Sequence, residues 1–371
     1  MIHVTLTNEI LKKIVEIEEN RVLLDLKPLP SNTQNRLRRN SMKKSSYASN
    51  LIEGNPLTEQ QADDAIESDP HKHFLKPEIE IRNYFKALEY LEKMKQRQEP
   101  FSLQMILDVQ AIVEKGASKE KIGLRGPMPP GVLFAVYDTE TGEPEYIPPE
   151  YSEIPSLLNE LVEYVKSTDD HPLIIAAVVH YQLVTIHPFE DGNGRTARLL
   201  SGYILDLYGY GFAGIGSLEE YFAYDPDEYC KSLQMGLPAL YYSGRDNPPY
   251  PEIWVNYFLR MMVLYAKKVL EVSSGASDSA ISASVSHLKK RERGFLLFIL
   301  ENHYEQFTPK EISEVLSITN RTVINRCAAL SEYGFLIPDL SKQRIRSYSL
   351  SAYTLDNKEA LIRELKGGSS L

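Results

Sequence analysis

The stretch HPFEDGNGRTAR, His187–Arg198, decides how the rest of the chain is read. Before it runs PLIIAAVVHYQLVTI, apolar at nearly every position from Pro172 to Ile186. After it, LLSGYILDLYGY keeps a helical period from Leu199 to Tyr210. The pattern places a short loop between two buried helices, with Gly192-Asn193-Gly194 at the start of the second. A helix start leaves backbone N–H groups without intrahelical partners and carries the positive end of the helix dipole. Glycine lets a ligand approach that backbone closely. Such a terminus is an anion site, and phosphate is the usual anion.

The neighbouring side chains fit a nucleoside triphosphate. Arg195 and Arg198 are three apart and share a helix face. Guanidinium groups clamp phosphate oxygens. Asp191 supplies a hard oxygen for Mg²⁺, which commonly binds one carboxylate plus phosphates. Asn193 carries an amide able to donate to a phosphate oxygen. His187 is placed to act as general base at neutral pH, and Phe189 to anchor the loop in the core. Alone, GNG is commonly a turn and a histidine after an apolar helix is commonly structural. The signal is the whole set within twelve residues.

Further out, the chain has 371 residues, 43% hydrophobic and 25% charged, which fits an ordinary globular protein of two or three domains. Its net charge of −10 argues against a protein that coats nucleic acid or anionic membrane over its whole surface. Cys230 and Cys327 match no zinc or redox spacing, which rules out a disulfide scaffold and fits a reducing, cytoplasmic compartment. The N-terminal MIHVTLTNEILKKIVEIEEN carries charges every few residues, so no signal peptide is expected there. No run of about 18 apolar residues occurs, so no membrane span is expected.

Ile10, Leu11, Ile14, Val15 and Ile17 mark a first helix, with Pro28 and Pro30 as its stop. The basic run Arg36, Arg38, Arg39, Lys43 and Lys44 reads as a solvated helix face. A helix is expected from Ser41 to about Glu53, closed by Gly54. Thr58 reads as an N-cap and Pro77 as an N1 residue. VLFAVY (Val132–Tyr137) and EYI (Glu145–Ile147) flank DTETGEP and read as a β-hairpin in an otherwise helical domain. The Ser/Ala/Gly-rich stretch 272–286 reads as a linker. Three helices follow, near Lys290–His303, from Thr308 and from Thr319, then strands in FLIPD and RIRSYSL.

HxFx(D/E)GNGRxxR is the signature of the Fic family, and His187–Arg198 resembles it at every specified position. The resemblance extends from about Gln104 to Leu264, with Arg125 ahead of the hairpin and a Tyr-rich helix at Tyr221–Gln234. It implies a mainly α fold with a hairpin flap, and AMP transfer from ATP to a Ser, Thr or Tyr hydroxyl of a target protein or of the chain itself. In that picture His187 is the base, Asp191 binds Mg²⁺, Gly192, Asn193 and Gly194 form the anion hole, and Arg195 and Arg198 hold the β- and γ-phosphates. Relatives that phosphorylate or transfer phosphocholine carry a lysine or alanine among the glycines, and no such change is present here. The adenine is expected against the helix around Tyr229, where Gly236 stands at a position that relatives often give to an amide. The stretch Leu240–Trp254 departs from the family's shorter loop. The flap would hold the target segment by strand addition.

Ser49 and Glu53 are four apart on one helix face, and SNLIEG resembles the family's inhibitory motif (S/T)xxxE(G/N). Paired with Arg198, Glu53 would take the partner of the γ-phosphate. On its own it also reads as a solvated residue before a glycine cap. The C-terminal pattern resembles a small α+β winged helix-turn-helix. From residue 281 to 350 it carries ten basic and seven acidic residues, including Arg321 and Arg326 on the third helix and Lys342, Arg344 and Arg346 on the wing. Such modules contact DNA or dock proteins. The expected organisation is therefore 1–103, a helical region with the inhibitory helix; 104–271, the Fic catalytic domain; 272–286, the linker; 287–352, the winged helix with a DNA contact through 308–349; and 353–371, a tail. The family also implies homodimers. Two other functions keep the same residues: removal of AMP from a modified target, and a DNA-binding regulator whose Fic domain senses nucleotide.

Overall fold

The computed structural model describes the chain except residues 27–28, 30, 119–121, 133, 138–141, 143, 236, 238–247, 340–344, 346 and 368–371. It is mainly helical and divides into two compact units, Met1–Val22 with Ser31–Val269 and Leu23–Pro30 with Leu270–Leu371. The elements in chain order are α1 (Asn8–Asp25), α2 (Ser31–Ile52), α3 (Glu59–Glu67), α4 (Lys76–Gln96), α5 (Leu103–Glu114), β1 (Val136–Tyr137), β2 (Pro144–Tyr146), α6 (Ile154–Ser167), α7 (Pro172–Ile186), α8 (Asn193–Leu207), α9 (Glu219–Tyr224), α10 (Pro226–Gln234), α11 (Pro251–Ser286), α12 (Lys290–Glu301), β3 (Gln306–Phe307), α13 (Pro309–Leu316), α14 (Asn320–Glu332), β4 (Leu336–Pro338), β5 (Tyr348–Leu350), α15 (Ala352–Asp356) and α16 (Lys358–Gly367). Among the described residues no helix is long and apolar enough to cross a membrane.

The first unit is organised around α7. Leu173–Leu183 is buried without interruption, as expected of a helix that is apolar all round. Helices α8 and α6 pack against it, and Trp254 of α11 is fully buried with its indole N–H donating to the Ala177 carbonyl at 2.8 Å. Helix α5 lies on α8 and α4, and α2 lies on α4, α8 and α9. The hairpin β1–β2 is antiparallel, with Val136 opposite Tyr146.

Several expectations about the N-terminal helices change. Ile10, Ile14 and Ile17 are buried on α1, whereas Leu11 and Val15 face out, and Pro28 and Pro30 lie outside the described residues. The inhibitory-motif helix α2 starts at Ser31, not Ser41. Its first turns are polar, so no apolar period announces them. Four of the five cations in its basic run are paired: Arg38 with Glu92 at 2.9 Å, Arg39 and Lys43 with Glu67 at 3.0 Å each, and Lys44 with Glu220 at 2.9 Å, while Arg36 is exposed as expected of a solvated face. Thr58 caps α3 with a reciprocal Gln61 bond, while Pro77 is one residue inside the start of α4.

In the second unit, β3 falls between α12 and α13, and β4 and β5 follow α14; together they form a three-stranded antiparallel sheet ordered β3-β5-β4. Strand β3, two residues long, was too short to show as a period. Thr308 and Glu311 form the expected capping box, with Glu311 N–H donating to the Thr308 hydroxyl at 3.3 Å and Thr308 N–H to the Glu311 carboxylate at 2.7 Å. Gly334 closes α14 at φ +78°, a left-handed conformation that glycine adopts freely. Lys342, Arg344 and Arg346 fall outside the described residues.

Two boundaries need correction. The segment 272–286 is not a linker but the continuation of α11. Serine and alanine tolerate a helix, and Ile281 and Val285, one turn apart, are buried in the second unit's core. Residues 353–367 of the expected tail are not a tail either. Helix α16 packs on α12 and buries Leu361 and Leu365, and Thr354 donates to the Phe335 carbonyl at 2.8 Å. A Leu361→Ala variant should therefore lose about 2–5 kcal/mol, the usual loss for a fully buried leucine. Urea titration followed by circular dichroism measures this, and an unshifted transition would return 353–367 to the status of a tail.

Candidate active site

Helix α7 stops at His187, which adopts φ 48° and ψ 59° immediately before Pro188. A non-glycine residue held there costs about 1–3 kcal/mol and needs its surroundings to enforce it. Arg125 is the main enforcer. It is buried, its Nε donates to the His187 carbonyl at 2.8 Å, and its backbone N–H donates to the Pro188 carbonyl at 2.9 Å. Its guanidinium also donates to the Pro149 carbonyl beyond the hairpin and lies over the Phe134 ring at 4.7 Å. Phe189 is fully buried, as expected, and pairs with Leu124 as an isolated bridge.

The imidazole of His187 points Nδ1 at the Val184 carbonyl, 3.2 Å away. A proton on Nδ1 satisfies that contact and leaves the Nε2 lone pair available, the tautomer a general base needs. Burial drives its pKa down to about 4; Arg125 acts the same way, against the Val184 carbonyl, Glu53 and Asp191. The ring is thus neutral at neutral pH.

The loop itself is built from its own side chains. Asn193 is buried, donates to the Phe189 carbonyl and accepts from the Phe189 N–H, both at 3.0 Å. Its amide thus closes the loop with one N–H and its oxygen. Gly192, at φ +82°, donates to Asp191 Oδ1 at 2.7 Å. The first intrahelical bond runs from Thr196 N–H to the Gly192 carbonyl, so the N–H groups of Asn193, Gly194 and Arg195 lie at the open start of α8.

Arg198 is 3% exposed and converges with the end of α2. Its Nε donates to the Ser49 hydroxyl at 2.8 Å, and its Nη2 to the Ser49 carbonyl at 3.0 Å and to Glu53 Oε1 at 2.6 Å. Burial alone would raise the Glu53 carboxyl. Arg198 and then Arg195 outweigh that and hold it below its ordinary value, so it stays ionised. Its Oε1 lies 2.4 Å from where a Cβ on Gly194 would stand. The carboxylate therefore rests directly against the helix start that an anion would use.

Two arginine-side expectations are revised. The Arg195 side chain is 4% exposed and lies among carboxylates: Glu114 at 3.0 Å, Asp191 at 3.1 Å and Glu80 at 3.9 Å. In this conformation it does not face a phosphate. Tyr229 is 3% exposed, packed against Phe222, Trp254 and Tyr257. Its hydroxyl meets His180 Nε2 at 2.7 Å and Arg198 Nη1 at 3.5 Å. It braces Arg198 instead of presenting a face to adenine. Gly236 and residues 240–247 of the expected insertion lie outside the described residues.

Sequence reasoning missed Glu114. It is 2% exposed, and burial raises its pKa to about 7, helped by Asp191 and Glu80 and opposed by Arg195. A signal existed: Gln110 and Glu114 are polar residues one turn apart on the buried face of α5. Both reach the loop, Gln110 through its Nε2 to the Asp191 carbonyl at 3.3 Å.

Residues 100–205 match the family model described as the Fic/DOC family. The chain is 32% identical over 171 residues to a protein adenylyltransferase Fic of Nematostella vectensis, covering 44% of this chain and 37% of that one. It is 43% identical over 68 residues to the protein of the same name from Aedes aegypti, covering 14% of it. The chain thus spans well under half the length of these two relatives. A Fido domain-containing protein of Dictyostelium discoideum is 34% identical over 116 residues, which cover 76% of it. Among solved structures, a Fic family protein from Desulfovibrio desulfuricans superposes with a TM-score of 0.59 at 20% identity, covering 95% of this chain and 98% of that one. A Fic domain containing signaling protein from Bacteroides thetaiotaomicron gives 0.56 at 23%, covering 72% and 98%. These two share the fold.

The His187 environment predicts its titration. Imidazole ¹⁵N NMR of the full chain should place its pKa near 4 with the proton on Nδ1. The unfolded chain takes up this proton near pH 6.5 and the folded chain only near 4, so folding stability should fall as pH drops through that window. Titration at the ordinary histidine value would contradict the assigned environment.

Proposed function

The chain belongs to the Fic/DOC family, and from that premise we propose that its first unit is a protein adenylyltransferase restrained by Glu53. A target Ser, Thr or Tyr hydroxyl gives its proton to His187 Nε2 as its oxygen attacks the α-phosphorus of ATP. The new oxygen–phosphorus bond forms, the bond to the β-phosphate bridge breaks, and pyrophosphate leaves. The start of α8 and Arg198 take the phosphate charge. Asp191, with its side chain 36% exposed, is a hard donor suited to Mg²⁺ held jointly with phosphates; the ion would neutralise phosphate charge. The exposed faces of Val132 and Tyr137 beside the hairpin suit strand addition by the target segment.

The observation that carries this reading is the convergence on one loop of a neutral imidazole, an open helix start and Arg198, with Glu53 2.6 Å from Arg198. An ionised carboxylate against Gly194 excludes a γ-phosphate from the same place, which supports the inhibitory role of Ser49 and Glu53. Breaking a charge-assisted contact of this kind corresponds to about tenfold to a hundredfold in activity. Incubation with Mg²⁺ and ATP labelled on the α-phosphate should show that gain in self-AMPylation for Glu53→Gly, and none for Glu53→Gly/His187→Ala. Loss of activity on changing Glu53 would instead favour removal of AMP from a modified target.

A second reading concerns the second unit, taken as a winged helix. Lys289, Lys290 and Arg291 ahead of and in the first turn of α12 line an open cleft with Thr322, Asn325 and Arg326 of α14. Among the described residues none of these four cations has an ion-pair partner, and the one carboxylate there, Glu292, is spent accepting the Lys289 N–H at 2.8 Å. Asn320, Arg321 and Asn325 are exposed on α14, side chains that suit base edges. This supports contact with duplex DNA along the cleft. Lys290→Ala/Arg291→Ala should then lower the slope of log affinity against log salt by about two, one per lost phosphate contact. Fluorescence anisotropy with a duplex over a salt series measures it. Binding indifferent to salt would remove DNA as the partner and leave protein docking.

A further inference from the structure

Arg195 is one cation among three carboxylates, and only one of the three contacts is a directed hydrogen bond. That bond runs from Nη2 to Asp191 Oδ1 at 3.1 Å. Glu114 Oε1 sits as close, at 3.0 Å, yet both Glu114 oxygens lack a hydrogen-bond partner, as do Nε and Nη1 of Arg195. These four atoms are half of the eight buried side-chain atoms left without a partner among the described residues. Buried polar groups are ordinarily paired, and an unpaired cluster beside a reactive loop calls for a partner state in which it is used.

The surroundings single out Glu114. Glu80 is farther, at 3.9 Å, and its Oε2 already accepts from Asn55 Nδ2 at 2.8 Å. Asp191 Oδ1 is shared between Arg195 and the Gly192 N–H. Glu114 has neither oxygen in a directed hydrogen bond, although Oε1 is ion-paired to Arg195. It reaches this position because residue 192 is glycine: a Cβ there would stand 2.5 Å from its Oε1.

We propose that Glu114 is a positioning residue that takes over Arg195 when Asp191 turns to the magnesium ion arriving with ATP. Without it, the ion must displace a guanidinium that has no comparable partner to go to. With it, Arg195 shifts its bond from one carboxylate to the next and stays paired and buried. Asp191 is then shared in time between a structural contact and the metal, and Glu114 holds Arg195 once Asp191 has turned away. This inference rests on the Mg²⁺–ATP reading of the site.

The test is nucleotide binding, not turnover, in the full chain carrying Glu53→Gly and His187→Ala, so that no chemistry intervenes. ATP binding is followed by isothermal calorimetry across a Mg²⁺ series and in chelator. Adding Glu114→Gln should raise the Mg²⁺ concentration for half-maximal ATP binding by at least about fivefold, the lower end of couplings between sites, without weakening ATP binding in chelator. Glu114→Asp is the deciding variant. It keeps the negative charge but withdraws the carboxylate by one methylene from Arg195. A positioning role makes it resemble Glu114→Gln; a role through charge alone makes it resemble the parent and overturns the proposal. Unchanged Mg²⁺ dependence in both variants overturns it as well. If Glu114→Gln melts early, the Glu114→Asp comparison decides. Failure of the parent itself to bind ATP with Mg²⁺ would bring down the transfer reading and this one together.

Discussion

The site depends on one guanidinium. Arg198 is almost fully buried, and a buried cation without partners is not tolerated. It is met on one side by the Ser49 hydroxyl, the Ser49 carbonyl and the Glu53 carboxylate, and on the other by the Tyr229 hydroxyl backed by His180. Removing α2 would leave most of those donors unpaired, so the buried charge favours the docked helix. Only an anion delivered to the same place, such as a terminal phosphate, restores the balance. In the proposed reading Glu53 and a terminal phosphate compete for one charge, so the proposed brake needs no moving part beyond the end of a helix.

The rest of α2 is suited to that competition. Its buried residues are Ser41, Ser45, Ser46, Ala48, Ser49 and Asn50, with no large apolar side chain among them. Ser41, Ser45 and Ser49 recur at the helical period and each is hydrogen-bonded across the interface: Ser41 accepts from the Gly216 N–H at 2.6 Å, Ser45 donates to Glu219 at 2.8 Å, and Ser49 accepts from Arg198. Glu219 in turn accepts from Tyr84 and Ser217. Such a seam is specific in register, and its fully buried positions are polar or small, whereas large buried apolar side chains are what make helix docking hard to reverse.

Much of this molecule was readable from local chemistry. The helix 172–186 stands out because every face is apolar, the N-cap at Thr58 because of its residue type, and the capping box at Thr308 because its partner lies three residues away. The loop His187–Arg198 is legible because its functional atoms are covalent neighbours. What escaped has a shared cause. The start of α2 and the helical character of 272–286 are polar or small-residue segments whose helicity comes from contacts elsewhere: ion pairs to Glu67, Glu92 and Glu220 in one case, burial of Ile281 and Val285 in the other. Asn193, Arg195 and Tyr229 also have protein partners that no sequence pattern announces, because a side chain's partner is set by what is nearest in space.

By itself, the sequence determined the order of events along twelve residues: a helix that must end, a base, a carboxylate, two glycines able to admit an anion, and two cations on the face that follows. Those relations are enforced by bond lengths and the helical repeat, and they survive any packing. Only the tertiary structure decided which carboxylates those cations meet. Glu53 reaches Arg198 across 145 residues of chain, and Glu114 reaches Arg195 from the far end of another helix. Electrostatic contacts act over about 3–4 Å, a tolerance that only the packing of α2, α5 and α8 against one another can set.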